Sequence, residues 1–303
     1  MGQTIYLVLL FLLSVLPALF LLWFFEKQDK GEKEPRKLKN KVFFAGLLMV
    51  IIAGVIESFV DGFIGDLGLN WYAYIFVLAF LITATIEEGL KLYVVKRIAY
   101  KHKKFNEVMD GITYVIIASL GFAVLENILY VMQDGFGTGI ARALLAVPAH
   151  AMFSGIMGYY VGKAKFSDSK APWDSRKLLW TGYFLAVLYH GLYNFFLLSG
   201  TYLMFAVVPL LIFMAAHLKH LINKARFEDK SQKNKPRPFT VKRGLRLILA
   251  SVLPVIAILW VGGSIMLYNE GQIDGTYILT ASPFPILMLI GSYLLIRRKK
   301  VKK

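Results

Sequence analysis

Apolar residues along this chain fall into nine runs that are separated by short polar segments. A run of about 20 apolar residues can cross the hydrocarbon core of a bilayer as an α-helix. The pattern therefore predicts an all-α fold, a polytopic transmembrane helical bundle with nine spans. Prolines in the seventh and ninth spans predict kinks there, at Pro209, Pro283 and Pro285. The predicted spans are residues 4–25, 42–60, 71–95, 108–131, 141–162, 178–198, 202–222, 246–267 and 277–296.

Positive charge alternates between the two sides of these spans. Of the 35 Lys and Arg residues, 33 lie in one alternating set of connections and at the C-terminal end. Of the other two, Lys91 lies inside a span and Arg142 lies near the opposite surface. Because basic loops stay in the cytoplasm, we expect the N-terminus outside and the C-terminus inside. The chain is thus predicted to be a multi-pass integral protein of the cell membrane.

Composition and charge narrow the class of protein further. Hydrophobic residues make up 57% of the chain and charged residues only 18%, which excludes a water-soluble enzyme or a secreted domain. The absence of cysteine excludes disulfides, thiolate nucleophiles and cysteine metal sites. The net charge of +16 is spread over every predicted inner loop. We therefore expect the lipid bilayer as a partner and no nucleic acid.

A basic, proline-containing segment divides the chain. Residues 223–245 are predicted to be a cytoplasmic linker. They separate a seven-span membrane body, residues 1–222, from a two-span tail, residues 246–303, whose basic end is predicted to be cytoplasmic. The sequence predicts no particular oligomeric state.

Small residues recur every four positions in the fifth span, at Ser154, Gly158 and Gly162. This spacing places them on one helix face, where small side chains let two membrane helices approach closely. We expect this ridge to serve helix packing.

Ionisable side chains concentrate in four consecutive spans, the third to the sixth. Each costs on the order of 2.5–3.5 kcal/mol inside a bilayer, so intramembrane groups of this kind mark functional sites. Helical spacing predicts one polar chamber around the middle of the membrane, open toward the cytoplasm. Glu57 of the second span lies near the outer end and is expected outside it. The polar set comprises Glu87, Glu88, Lys91, Asp110, Glu126, Asn127, His150, His190 and Asn194.

Three kinds of chemistry fit such a cluster. In hydrolysis, a buried carboxylate acts as general base on a water, and His and Asn side chains stabilise the oxyanion. In metal-assisted hydrolysis, histidines and a glutamate bind a metal that activates the water, although no H-E-x-x-H motif is present. In a proton-coupled transporter, the groups relay protons. A non-catalytic membrane scaffold is a fourth alternative.

Four motifs occur in order on the successive spans. They are E-E-x-x-K at residues 87–91, F-x-x-x-E at 122–126, the segment PAHAMFSGIMGYYVG around His150, and H-x-x-x-N at 190–194. With these motifs the sequence resembles the PrsW family of intramembrane proteases, which is related to the CAAX protease and bacteriocin-processing superfamily. The prenyl-protein proteases of that superfamily use E-E-x-x-x-R and F-x-x-x-H. Lys91 and Glu126 differ from those patterns and favour the PrsW family.

The resemblance implies an intramembrane endopeptidase that hydrolyses a peptide bond of membrane proteins, with a protease-like core at about residues 71–200. It implies a membrane protein substrate, expected to be single-pass. The best known family role is the first cut of a membrane-bound anti-sigma factor, which starts a stress response by regulated proteolysis.

Glu87 is expected to act as the general base and Glu88 to orient it, or with these two roles exchanged. His190 and Asn194, one helical turn apart, are expected to stabilise the oxyanion or to hold the water.

His150 and Glu126 are expected to complete the chamber, as second base, metal ligand or orienting group. Carboxylate and imidazole groups bind Zn²⁺ readily, but their spacing here is not diagnostic, so a zinc ion stays open. The candidate metal ligands are His150, His190, Glu87 and Glu126.

Overall fold

The computed structural model describes residues 2–28, 33–167 and 172–231, with the isolated positions 286 and 290. Within these residues the regular secondary structure is helical and contains no strand, which confirms the all-α prediction. The predicted eighth and ninth spans lie outside these three ranges. The described chain forms seven long helices, α1 (Gly2–Gln28), α2 (Arg36–Gly65), α3 (Trp71–Ile98), α4 (Val108–Asp134), α5 (Phe136–Lys165), α6 (Pro172–Leu198) and α7 (Val207–Ser231).

Six helical segments of the described chain are long and apolar enough to cross a membrane. Five of them correspond to α1–α5, and the sixth is Tyr202–Asp229, which includes most of α7. Helix α6 has sufficient length at 27 residues, but polar residues such as His190 and Asn194 lower its mean hydropathy. The structure thus supports a multi-pass membrane protein, while the count of nine spans and the orientation of the termini stay predictions.

Two of the long helices contain a π-helical segment. Val77–Ala84 is π-helical within α3, and Arg142–Ala146 is π-helical within α5. In each helix the α-helical turns resume just before predicted site residues. The Thr85 hydroxyl donates a hydrogen bond of 2.8 Å to the carbonyl of Phe80, where α3 changes from one form to the other. Such widened turns are frequent at functional sites.

Helix α7 differs from the predicted seventh span in its first residues. Tyr202–Ala206 forms a 3₁₀ turn, and the α-helix begins at Val207. Pro209 therefore lies in the first turn of α7, a position that tolerates proline. The predicted kink at Pro209 stays a prediction, and Pro283 and Pro285 lie outside the described residues.

The chain divides into two compact units. One consists of Met1–Phe195 and His217–Pro236, and the other of Phe196–Ala216 and Arg237–Lys303. In the described part of the second unit, the chain forms the last residues of α6, the 3₁₀ turn and the first turns of α7. All candidate site residues belong to the first unit.

Helix α4 is the central helix of the first unit. It packs against α1, α2 and α5, and its residues from Val108 to Val124 are buried. A Cβ atom on Gly111 of α4 would overlap the backbone of Gly158 and Gly162 of α5. The predicted ridge of small residues therefore does serve close packing, between α5 and α4.

The last turns of α7 hold the N-terminal end of α4. The Asp229 carboxylate accepts hydrogen bonds from the backbone N–H groups of Val108 at 2.7 Å and Met109 at 3.0 Å. A carboxylate at this position satisfies unpaired donors and favours the helix dipole. Residues 223–231 of the predicted linker are consequently helical. The rest of the linker, and the tail except positions 286 and 290, lies outside the described residues.

Candidate active site

Helices α3 to α6 bring most of the predicted ionisable residues into one buried cluster. Asp110 is the exception, since its carboxylate accepts hydrogen bonds from the backbone N–H groups of Asn106 and Glu107 at the N-terminal end of α4. Glu88 and Lys91 are completely inaccessible to solvent, and Glu87, His150 and His190 are almost so. Charges buried this deeply require partners. The contacts between these side chains show how each charge is compensated.

Glu88 contacts three helices at once. Its Oε1 atom lies 2.7 Å from the Lys91 Nζ atom and 3.1 Å from Nδ1 of His190 on α6. Its Oε2 atom accepts a hydrogen bond of 2.9 Å from the Ser154 hydroxyl on α5. Both oxygens of Glu88 are thus engaged, which fixes its carboxylate between α3, α5 and α6.

Lys91 supplies the positive charge at the centre of the cluster. Besides Glu88, its Nζ atom lies 3.0 Å from Oε2 of Glu87 and 3.1 Å from Nδ1 of His150. It also lies 4.4 Å from the centre of the Phe122 ring. Because an ammonium group can only donate, Nδ1 of His150 is the acceptor, and the proton of the neutral imidazole is on Nε2.

Glu126 lies at the less buried end of the cluster. One oxygen, Oε2, is 2.9 Å from Nε2 of His150, and the other, Oε1, is 2.9 Å from the guanidinium of Arg142. The Arg142 Nε atom also donates to Oδ1 of Asn127 at 2.6 Å. A continuous series of polar contacts therefore runs from Arg142 through Glu126 and His150 to Lys91.

Aromatic contacts fix the two histidines. The His190 ring stacks on Phe153 with centroids 4.4 Å apart and an interplanar angle of 10°. The centroids of His150 and His190 are 5.5 Å apart. The two imidazoles therefore face the same small region from α5 and α6.

Five of the six predicted catalytic residues meet in this cluster, the exception being Asn194. That residue is half-buried, and none of the hydrogen bonds among the described residues that join the other five includes its amide. Its role in the site stays a prediction.

Glu57 lies farther inside the membrane segment than expected. Helix α2 continues to Gly65, so Glu57 is two turns from its end. The side chain is half-buried, and within the described chain its Oε1 atom has no hydrogen-bond partner. It lies within electrostatic range of Glu126 and Lys91.

Two residues of the cluster were not predicted as part of it. The sequence predicts Arg142 near a membrane surface. It is, however, the one basic residue on the side of the membrane where the connections otherwise carry no Lys or Arg, and this isolation indicates a specific role. Ser154 was assigned to packing alone, although it lies one turn after His150 on α5. Their contacts with Glu126 and Glu88 add them to the site.

The cluster contains two groups of donors of the type that binds a metal ion. One is Glu87, Glu126 and His150, and the other is Glu87, Glu88 and His190. In each group the donor atoms lie within 4.8 Å of one another. Carboxylates and imidazoles in sets of three are the usual protein ligands of catalytic zinc, so the donor types fit such an ion.

Comparisons with known proteins agree with the motifs. The model of a family described as "PrsW family intramembrane metalloprotease" matches residues 34–217. The protease PrsW of Geobacillus kaustophilus is 40% identical over 188 residues, which is 61% of this chain and 78% of that protein. The Bacillus subtilis protein of the same name is 34% identical over 203 residues, 66% of this chain and 88% of that protein. No solved structure matches. The chain therefore belongs to the PrsW family of intramembrane proteases.

Proposed function

We propose that this protease hydrolyses a peptide bond of membrane protein substrates at the Glu87–Glu88 pair, by a water that a carboxylate activates. The observation that carries the proposal is the unequal engagement of the two carboxylates. Glu88 is bonded through both oxygens. Within the described chain, Glu87 accepts a hydrogen bond only from Lys91, on Oε2. Oε1 of Glu87 is thus free to accept a proton.

This difference supports Glu87 as the general base. A general base must have an oxygen within hydrogen-bond reach of the water that it deprotonates. Glu88 instead orients its neighbours, since it holds Lys91, Ser154 and His190 in place. The Lys91 ammonium restrains the Glu87 carboxylate through its other oxygen.

The histidines and Asn194 complete the proposed mechanism. Because Nδ1 of His190 faces the Glu88 carboxylate, the neutral ring carries its proton there and leaves Nε2 to accept from the attacking water. Glu87 takes one proton from this water as the water oxygen attacks the substrate carbonyl, and it returns that proton to the amine nitrogen when the peptide bond breaks. The Asn194 amide is the proposed donor to the oxyanion.

For the substrate we propose a single-pass membrane protein. An anti-sigma factor, cut as the first step of regulated proteolysis, is the first member of this class to test. This choice is supported by the resemblance of the motifs to the PrsW family.

Terminus labelling of membrane proteins tests the activity and identifies the substrate together. Cells that produce the wild type are compared with cells that produce Glu87→Ala at equal level. We expect a single-pass protein to be shortened only in wild-type cells, because Glu87→Ala lacks the base. Glu26→Gln, which alters an ion pair with Lys39 outside the cluster, is the matched control and is expected to cleave normally. Identical termini under several envelope stresses would contradict the proposal.

A zinc-dependent form of the same hydrolysis is the second candidate. It is supported by the two donor groups and by the description of the matching family. A bound zinc ion would polarise the substrate carbonyl and acidify water. Glu87 would hold it, with Glu126 and His150 or with Glu88 and His190.

Metal content and chelation separate the two mechanisms. If the carboxylate acts alone, purified protein in detergent should keep its activity in a chelator and contain no stoichiometric metal. If zinc is required, activity should fall on chelation and return with Zn²⁺, and elemental analysis should find about one ion per chain. His150→Ala should then lower the zinc content, while His102→Ala, in an exposed loop, should not.

A further inference from the structure

Arg142 lies within the candidate membrane-spanning helix α5 and not at its end. It is the first residue of the π-helical segment of α5, six positions after that helix begins. Its side chain is 16% exposed. A guanidinium at this depth is costly unless it has a specific partner, so its contacts indicate what it does.

Three neighbouring side chains of α4 hold the guanidinium. Its Nη2 atom lies 2.9 Å from Oε1 of Glu126, its Nε atom donates to Asn127 at 2.6 Å, and its central carbon lies 4.4 Å from the centre of the Tyr130 ring. Asn127 is held in turn by a hydrogen bond of 3.4 Å to the carbonyl of Ser14 on α1. Arg142 thus joins α5 to α4 in a fixed geometry.

The orientation of Glu126 follows from this arrangement. With Oε1 on Arg142, the second oxygen, Oε2, is directed to Nε2 of His150 at 2.9 Å. The opposite nitrogen of that ring faces Lys91 at 3.1 Å. A carboxylate on one side and an ammonium on the other determine the tautomer and the rotation of the His150 ring.

The charge balance of the buried cluster also requires Arg142. Glu87, Glu88 and Glu126 are three carboxylates in the buried cluster, and Lys91 is bonded to the first two. Arg142 is the cation that compensates the third. Without it, Glu126 would be a partly buried carboxylate facing only a neutral imidazole, which is costly.

We propose that Arg142 is a positioning residue of the protease, which fixes the Glu126 carboxylate and thereby the orientation of the His150 ring in the active site. The inference rests on the proposed function for its importance to catalysis. Arginine suits the role because its planar group can meet Glu126 and Asn127 at the same time, whereas lysine presents a single point of charge.

Nitrogen NMR of ¹⁵N-histidine-labelled protein tests the inference without any substrate. The chain has five histidines, so the spectra are simple to assign by substitution. In Arg142→Gln we expect the ring nitrogens of His150 to shift while those of His102 stay in place. Arg142→Lys should give a smaller shift, because lysine keeps the positive charge but lacks the planar guanidinium that contacts Glu126 and Asn127 at the same time. Arg97→Gln is the matched control, since Arg97 is exposed and also lies over a tyrosine ring, that of Tyr93.

Cleavage of the substrate found by terminus labelling gives the second readout. We expect Arg142→Gln to cut about 10–100-fold more slowly, as is usual when a supporting partner of a site residue is lost, and Arg142→Lys to be intermediate. If Arg142→Gln does not accumulate, Arg142→Lys is measured in its place. A shift of the His150 ring nitrogens in that variant supports the inference, and unshifted nitrogens contradict it.

Three outcomes would overturn the inference. Unchanged His150 nitrogens with slow cleavage would mean that Arg142 acts on the substrate directly. Shifts of all five histidines would mean a general effect on folding, and wild-type cleavage would mean that the contact is dispensable. Normal cleavage by Glu87→Ala would instead overturn the proposed function, whatever the NMR spectra show.

Discussion

Glu87→Gln is expected to cleave about 10²–10⁴-fold more slowly than the wild type, the usual contribution of a general base, with little change in thermal stability. Glutamine keeps the shape of the side chain but cannot take a proton from water. It can still accept from Lys91, whose main partner is Glu88. Rates are measured on the substrate found by terminus labelling, and stability by thermal unfolding in detergent.

Glu88→Gln provides the contrast. This carboxylate compensates Lys91 and binds His190 and Ser154 in a fully buried place. Removing its charge leaves Lys91 with weaker compensation, a kind of change that costs on the order of 3–5 kcal/mol. We therefore expect loss of both activity and stability, and loss of activity in His190→Ala.

The pattern of effects across the two carboxylates assigns their roles. Loss of activity with normal stability in Glu88→Gln, together with an unstable Glu87→Gln, would exchange base and orienter. Normal cleavage by both variants would exclude the pair from the chemistry. Glu26→Gln is again the control, because its ion pair with Lys39 lies outside the cluster.

Gly162→Leu is expected to prevent stable packing of α5 on α4. A Cβ atom at this position would lie 3.0 Å from the Cα atom of Val108 and closer still to the Val108 carbonyl oxygen. Backbone cannot move aside as a flexible side chain can, so the helices must separate. We expect destabilisation of about 3 kcal/mol or more, seen as a lower unfolding temperature in detergent and low accumulation in membranes.

Gly54→Ala is the matched control for that substitution. Gly54 lies within α2, and a Cβ atom there would meet no atom within 4 Å. Alanine in a helix interior is favoured over glycine by about 0.5–1 kcal/mol, so this variant should be at least as stable as the wild type. Equal stability of Gly162→Leu and the wild type would show that α4 and α5 do not pack as closely as described.

The site was largely predictable because membrane burial makes ionisable residues conspicuous. Glu87, Glu88, His150 and His190 were identified from apolar runs, helical spacing and motif order, and they meet in the structure. Arg142 was missed for a physical reason. The apolar run begins at residue 141, whereas α5 begins at Phe136, so that Arg142 lies more than one turn inside the helix.

Other features depend on partners that are distant in sequence. Nothing near Val77–Ala84 distinguishes a π-helical from an α-helical run of apolar residues. The extension of α7 to Ser231 is stabilised by contacts of Glu228 and Asp229 with α4 and α5. Those contacts are not visible in the local sequence, whose polar composition from residue 223 onward predicts a linker. Local pattern thus predicted which segments are helical, and tertiary contacts determined where they end.

The cap that Asp229 provides also has a consequence for biosynthesis. It reaches Val108 across a sequence separation of 121 residues. At about 5–20 residues per second, a ribosome needs roughly 6–24 s to make that stretch. All six candidate catalytic side chains have been synthesised before then, yet the backbone N–H groups of Val108 and Met109 still lack this carboxylate. The end of α7 therefore completes the packing of the central helix only after all six candidate catalytic residues have been synthesised.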